Sequence, residues 1–78
     1  MEELSKIIGE HMKSIRNKKQ LTISTVSKKT GISIANLSLY ENGKKGASIP
    51  VLYKWCCGLN VKLSAPFRRL EDKRRKYI

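Results

Sequence analysis

The chain has 78 residues, of which 40% are hydrophobic, and it carries 17 Lys and Arg against 6 Asp and Glu, a net charge of +11. This length allows one small domain, and the hydrophobic content is too high for a disordered tail. The longest nearly apolar stretch, residues 49–61, is shorter than the roughly 18 residues that span a bilayer, and no secretory signal is recognisable, so we expect a cytoplasmic protein.

Positive charge is concentrated in short clusters. They are Lys28-Lys29, Lys44-Lys45 and the tail at residues 68–76. On a domain this small, such clusters produce a strong positive potential outside the surface. Charge alone leaves nucleic acid, an anionic lipid surface and an acidic protein as candidate partners, beside a surface that is charged only for solubility.

An apolar stripe and several capping residues predict the first helices. Apolar residues at spacings of four, four and three predict helix one at about residues 3–18, through Leu4, Ile8, Met12 and Ile15. Thr22 caps a short second helix, Val26 faces inward, and Gly31 supplies the left-handed residue that ends this helix. Ser33 caps a third helix, so about four residues join helices two and three.

Three helices complete the chain. The third runs from Ile34 to Asn42 and is ended by Gly43. Ser48 caps the fourth and Asn60 ends it. The apolar face of the fourth helix consists of Leu52, Trp55, Cys56 and Leu59.

The fifth helix begins at Ser64 with Pro66 in its first turn, and we expect Phe67 and Leu70 to pack inward. We find no internal repeat and no convincing stretch with the period of two that indicates a strand. The sequence therefore predicts an all-α fold of five helices.

Two helices joined by a short turn that contains glycine are the supersecondary unit by which many proteins place a helix in the DNA major groove. The wider pattern is more specific. It consists of Ile8-Gly9, Met12, Ile15-Arg16, Leu21-Thr22, Val26-Ser27, Gly31-Ile32-Ser33, Leu37-Ser38, Tyr40-Glu41-Asn42-Gly43-Lys44, Ser48-Ile49, Leu52, Lys54, Leu59 and Val61. This pattern resembles the Cro/cI-type helix-turn-helix family, also called the xenobiotic-response-element or lambda-repressor-like family.

The resemblance implies a lambda-repressor-like domain at residues 1–64, followed by a carboxyl-terminal helix and basic tail at residues 65–78. It implies a DNA-binding regulator of transcription, such as a repressor, of the bacterial, phage or plasmid type and associated with the nucleoid. Helices two and three would form the helix-turn-helix, with helix three in the major groove. It also implies a structural ion pair between Arg16 and Glu41, which would hold the angle of helix three rather than contact DNA.

The resemblance places the contacts to base edges on the outer side of helix three. These residues are Ile34, Ala35, Ser38 and Leu39, with Asn36 on the flank. Ser33, which caps the helix, and Asn42 also belong to the expected DNA-binding residues. Helical geometry independently puts Ile34, Ser38 and Leu39 on one side, and Leu37 and Tyr40 on the opposite, core side. Arg, Gln and Asn are usual on such a face. Apolar residues at positions 34, 35 and 39 are therefore a departure from this pattern. Direct hydrogen-bond readout is then limited to Asn36, Ser38 and Asn42, and contacts to thymine methyl groups are left for Ile34, Ala35 and Leu39.

Phosphate contacts are implied at the amino end of helix two and in the loop after helix three. The residues concerned are Thr22, Ser24, Asn42, Lys44 and Lys45. Helix amino termini favour anions through their free amides and the helix dipole. Ile23 departs from the family, which commonly has Gln there. The tail at residues 68–76 either follows a flanking phosphate backbone or minor groove, or is a frayed end without a role.

Small members of the family commonly pair through the last helix. The corresponding candidates for a homodimer interface are Val61, Leu63, Phe67 and Leu70. An alternative reading takes the apolar outer face of helix three as a protein-docking surface, which would make the chain an adaptor or an antitoxin-like module. A third reading is an accessory DNA-binding protein of plasmid or phage DNA transfer.

Nothing in the sequence indicates an enzyme. His11 has no acidic or cysteine partner at the spacing of metal ligands, and no nucleophile, paired carboxylates or phosphate-binding glycine loop is recognisable. Cys56 and Cys57 are adjacent, which disfavours both a bridge between them and joint chelation, and we expect reduced thiols. We therefore expect no catalytic residues, no metal site and no cofactor, and a core position for Trp55.

Overall fold

The structure, a computed structural model, describes the backbone of residues 2–74 and the side chains of residues 3–72. The end of the predicted basic tail, residues 75–78, lies outside the described residues. Five helices make up the described chain: α1 (Glu2–Lys18), α2 (Ile23–Thr30), α3 (Ile34–Glu41), α4 (Ile49–Leu59) and α5 (Ser64–Arg74). The predicted all-α fold of five helices is confirmed.

The helix boundaries follow from local hydrogen bonding. The hydroxyl oxygens of Thr22 and Ser33 each accept a hydrogen bond, at 3.1 Å, from the backbone amide three residues later. Ser48 does the same for α4 at 3.4 Å. Gly31 ends α2 with a φ of 76° and Asn60 ends α4 with a φ of 56°, both in the left-handed region. These five predicted boundary residues are confirmed. They were predictable from the sequence because each boundary depends on groups within four positions.

The core is formed by all of the first four helices. Its buried side chains are Met12, Val26, Ile32, Leu37, Tyr40, Leu52, Trp55, Cys56 and Leu59. The Tyr40 and Trp55 rings lie 5.8 Å apart between centroids and extend the contact between α3 and α4. The predicted core positions of Trp55 and Leu37 are confirmed.

The prediction that Phe67 packs inward is wrong. Its side chain is 41% exposed, whereas the preceding residue, Pro66, is fully buried and Leu70 is partly buried. Pro66 and Leu70 are four positions apart and share one side of α5, while Phe67 points about 100° away from Pro66. The inward side of α5 is therefore set by Pro66.

Helix α1 separates α3 from α5. Gly9 and Arg16 of α1 contact the carboxyl end of α3. The residues of α1 that line the groove against α5, among them His11 and Ser14, lie on roughly the opposite side of α1. The outer face of α3 is consequently not covered by the described part of α5. No helix among residues 2–74 is long and apolar enough to cross a bilayer.

Candidate nucleic-acid interface

Helix α3 presents one side to solvent and the other to the core. On the outer side Ile34 is 49% exposed, Leu39 is 39% exposed and Ala35 is exposed as well. On the inner side Leu37 and Tyr40 are buried. The remaining candidates for DNA contacts in this helix and at its cap are Ser33 and Asn42, which are exposed, and Asn36 and Ser38, which are partly buried. We call the residues Ile34, Ala35, Ser38, Leu39 and Asn42 the outer face of α3.

The carboxyl end of α3 is held by an ion pair with two hydrogen bonds. The Arg16 guanidinium donates from Nε to Glu41 Oε2 at 2.7 Å and from Nη2 to Glu41 Oε1 at 3.1 Å. A third hydrogen bond runs from Nη1 to the carbonyl oxygen of Leu21, at 2.8 Å, in the loop before α2. The bond to Glu41 raises the pKa of Arg16 above its ordinary value. One guanidinium therefore ties α1, the start of α2 and the end of α3 together.

Close backbone approach adds to this restraint. Gly9 of α1 lies directly against the carbonyl oxygens of Tyr40 and Glu41, and a Cβ at position 9 would lie 2.7 Å from the latter. A side chain of any size would push the two helices apart. The close contact at Gly9 and the ion pair between Arg16 and Glu41 together fix the angle between α1 and α3.

The amino end of α2 forms the second part of the surface. Thr22 is exposed and Ser24 is partly buried. The Thr22 hydroxyl lies 2.9 Å from that of Thr25 in addition to capping the Thr25 amide. The amides of Ile23 and Ser24 belong to the first turn, where a helix offers no internal acceptor. They provide two donors for an anion, assisted by the helix dipole.

The loop after α3 carries the third group of candidates. Lys44 and Lys45 are both exposed, but their surroundings differ. Lys45 Nζ donates to Asn36 Oδ1 at 3.3 Å and lies 5.8 Å from the centroid of the Tyr40 ring. Asn42 Nδ2 lies 3.5 Å from Ser38 Oγ. Sequence reasoning missed the contact between Lys45 and Asn36, which spans nine positions across a loop and has no characteristic spacing.

The candidates for a dimer interface are divided between core and surface. Val61 and Leu63 are partly buried and pack against the core, and Leu70 is partly buried on α5. Phe67 has the most exposed side chain of the four. These residues therefore do not form one uniform apolar patch, and Phe67 is the member with most surface to offer.

The groove between α1 and α5 contains His11. Burial lowers the pKa of His11, and the positive charges of Arg69 and Lys18 lower it further. Cys56 is buried, which raises the pKa of its thiol, and Cys57 is exposed; both cysteines are free. Among the described residues, no group of three or more His, Cys, Asp or Glu side chains is arranged to hold a metal ion.

Comparison with known proteins agrees with this geometry. The family model HTH_3, described as helix-turn-helix, matches residues 12–65. The chain belongs to the HTH_3 helix-turn-helix family. The predicted resemblance to the Cro/cI-type, lambda-repressor-like family is thereby confirmed.

Two curated relatives are longer than this chain. The HTH-type transcriptional repressor RghR from Bacillus subtilis (strain 168) is 35% identical over 46 residues, which are 59% of this chain and 34% of RghR. The HTH-type transcriptional regulator SutR from Escherichia coli (strain K12) is 30% identical over 64 residues, 82% of this chain and 36% of SutR. The chain thus spans about a third of the length of these relatives.

Solved structures have the same HTH_3 fold. The clp gene regulator ClgR from C. glutamicum superposes with a TM-score of 0.83 at 23% identity, covering 90% of this chain and 91% of that one. An HTH_3 family transcriptional regulator from Vibrio cholerae gives 0.81 at 28% identity over 86% and 38%. The restriction-modification controller protein C.AhdI from Aeromonas hydrophila gives 0.77 at 18% identity over 80% and 94%.

Proposed function

We propose that the chain is a DNA-binding module of a transcriptional regulator, which inserts α3 into the major groove. The observation that carries this proposal is that α3 is exposed on one side and firmly held at its carboxyl end. Its outer face is open to solvent, while its carboxyl end is held by Arg16, Glu41 and Gly9. Such a helix can enter a groove without a change in the conformation of the domain. The names of RghR and SutR, a repressor and a regulator of transcription, support the assignment to transcription.

The phosphate contacts that we propose flank α3 on both sides. Thr22, Ser24 and the free amides at the start of α2 would bind one phosphate group. Lys44, Lys45 and Asn42 would bind another, beyond the carboxyl end of α3. The net charge of +11 supports a polyanionic partner, because each phosphate contact releases counterions from the duplex. Lys44 is the better candidate for a direct phosphate contact, since Lys45 donates to Asn36.

We further propose that two copies bind two half-sites. One module of this size buries only roughly 600 to 1,000 Å² of its surface on DNA, and helix-turn-helix dimers read half-sites about 34 Å apart. The exposure of Phe67 on α5, away from α3, supports pairing through that helix. Sedimentation of the chain alone and on a duplex measures this. A mass of one copy at micromolar concentration, both free and bound, would argue against a dimer.

The proposed function is tested by titration with duplexes selected from a random pool. Binding is measured for selected and for unselected sequences, each at two salt concentrations. A specific module should prefer the selected duplexes by about 10³ or more, with a salt slope that reports its phosphate contacts. Equal affinity for both pools with a steep salt slope would show binding by charge alone and would refute the proposal.

The exposed apolar residues of α3 favour a second candidate function. Ile34 and Leu39 together present an apolar patch of the kind that protein partners cover. An adaptor or an antitoxin-like module would use this patch for a protein, and its DNA affinity would be independent of sequence. The same titration separates the two functions, because only the DNA-reading function predicts a preference for the selected duplexes.

A further inference from the structure

We propose that the outer face of α3 recognises the C5-methyl groups of pyrimidines, and therefore accepts 5-methylcytosine at positions where it accepts thymine. This inference deepens the proposed function and rests on the docking of α3 in the major groove. The outer face would select a chemical group, the C5-methyl group, rather than a particular base pair.

The first argument is the composition of the outer face. Three of its five residues, Ile34, Ala35 and Leu39, have aliphatic side chains, and all three are exposed. Aliphatic groups neither donate nor accept hydrogen bonds. They have only one apolar partner among the base edges of the major groove, which is the C5-methyl group.

The second argument concerns the polar residues of α3. The Asn36 side-chain oxygen accepts from Lys45, and the Ser38 hydroxyl lies within hydrogen-bond distance of Asn42. A bidentate contact to adenine requires both the oxygen and the nitrogen of an Asn or Gln side chain. The bond from Lys45 uses one of the two lone pairs of the Asn36 oxygen, so an adenine contact would have to share this atom. Asn36 and Ser38 are also partly buried, so few polar groups are fully open for hydrogen-bond readout, and the methyl contacts carry a larger share of the discrimination.

The consequence follows from the structures of the pyrimidines. Thymine and cytosine differ in the major groove at position 4, where thymine has an acceptor and cytosine a donor, and at C5, where only thymine has a methyl group. An aliphatic side chain over C5 detects the second difference and is insensitive to the first. A 5-methylcytosine restores the methyl group without restoring thymine, so these side chains should treat it as thymine.

The experiment uses the selected duplex and changes one thymine position at a time. Each thymine is replaced by deoxyuridine, by cytosine paired with guanine, and by 5-methylcytosine paired with guanine. At contacted positions, deoxyuridine should weaken binding about fourfold, as expected for loss of one buried methyl group. A duplex with 5-methylcytosine should bind about fourfold more tightly than the same duplex with cytosine.

Two matched variants locate the effect on the protein. Ile34→Ala should reduce the difference between thymine and deoxyuridine at its position to less than twofold. Ile49→Ala is the control, because Ile49 is 59% exposed but lies at the start of α4, outside the outer face of α3. This variant should keep the full difference. Both substitutions remove the same atoms from exposed sites, so folding should be affected little and equally.

Three results would overturn the inference. The first is that every deoxyuridine duplex binds as tightly as its thymine counterpart, and every 5-methylcytosine duplex only as tightly as its cytosine counterpart. If the preference for selected over random duplexes persists in that case, methyl recognition is wrong and the proposed function stands. If Ile49→Ala lowers methyl sensitivity as much as Ile34→Ala, the outer face is not the reader. If no duplex is preferred at all, the proposed function fails and this inference fails with it.

Discussion

Replacing Glu41 by glutamine should destabilise the protein much more than the same change at an exposed carboxylate. The Glu41 side chain is 4% exposed and that of Arg16 is 14% exposed, so the guanidinium charge has little access to water. The substitution keeps the shape of the side chain but removes the negative charge and weakens both charge-assisted hydrogen bonds. Breaking a buried pair in this way costs about 3 to 5 kcal/mol.

The expected cost lies near the lower end, about 3 kcal/mol, because Arg16 keeps its bond to the Leu21 carbonyl and some contact with solvent. For a domain of this size that corresponds to a fall in Tm of roughly 12 to 24 °C. The assay is urea unfolding followed by far-ultraviolet circular dichroism, with linear extrapolation to zero denaturant. Glu10→Gln provides the matched control, since Glu10 is an exposed residue of α1 and its substitution should change stability by less than about 0.5 kcal/mol.

A double variant separates the interaction from the cost of an unpaired charge. Arg16→Met combined with Glu41→Gln leaves no buried guanidinium, so Glu41→Gln should cost far less in the Arg16→Met variant than in the natural chain. Equal losses for Glu41→Gln and Glu10→Gln would refute the reasoning. The same conclusion would follow if the effects of Arg16→Met and Glu41→Gln were simply additive.

Four further outcomes are expected. Lys44→Ala should weaken binding to all duplexes alike and lower the salt slope by about 1; an unchanged affinity and slope would remove Lys44 from the phosphate contacts. Ser38→Ala should change the base preference in a selection experiment while the salt slope stays the same. Gly9→Ala should lower the free energy of unfolding by about 1 to 3 kcal/mol, because its Cβ would overlap the Tyr40 and Glu41 carbonyl oxygens; urea unfolding measures this. Phe67→Ser should raise the dissociation constant of the proposed dimer in sedimentation without altering the circular dichroism spectrum, and an unchanged dissociation constant would exclude Phe67 from the interface.

Helix boundaries were the most predictable feature of this protein. Thr22, Ser33 and Ser48 cap their helices, and Gly31 and Asn60 end theirs, as the sequence indicates. Each of these boundaries is a hydrogen bond or a backbone conformation formed within a few residues, so tertiary contacts are not needed to produce it. The end of α3 differs by one position, since Asn42 serves as its cap rather than its last residue.

The orientation of side chains between helices was less predictable. The error at Phe67 arose because α5 has only a short apolar pattern, which allows more than one inward side, and burial of Pro66 selected one of them. The contact between Lys45 and Asn36 depends on the path of the loop after α3, which the sequence does not define. The exposure of the candidate residues on the outer face of α3 was predictable because eight helical residues have only one arrangement of inner and outer sides once Leu37 and Tyr40 are in the core.

The sequence by itself determined the five helices, their caps and the residues that α3 directs away from its apolar side, because these depend on hydrogen bonds and periodicity within each segment. The family resemblance also implied the ion pair between Arg16 and Glu41, but only the tertiary structure decided that this outer side stays uncovered and how closely α1 approaches the end of α3. That outcome depends on Arg16 meeting Glu41, on Gly9 admitting the end of α3, and on α5 packing on the far side of α1. Contacts between distant segments depend on how the whole core closes, which no local pattern encodes.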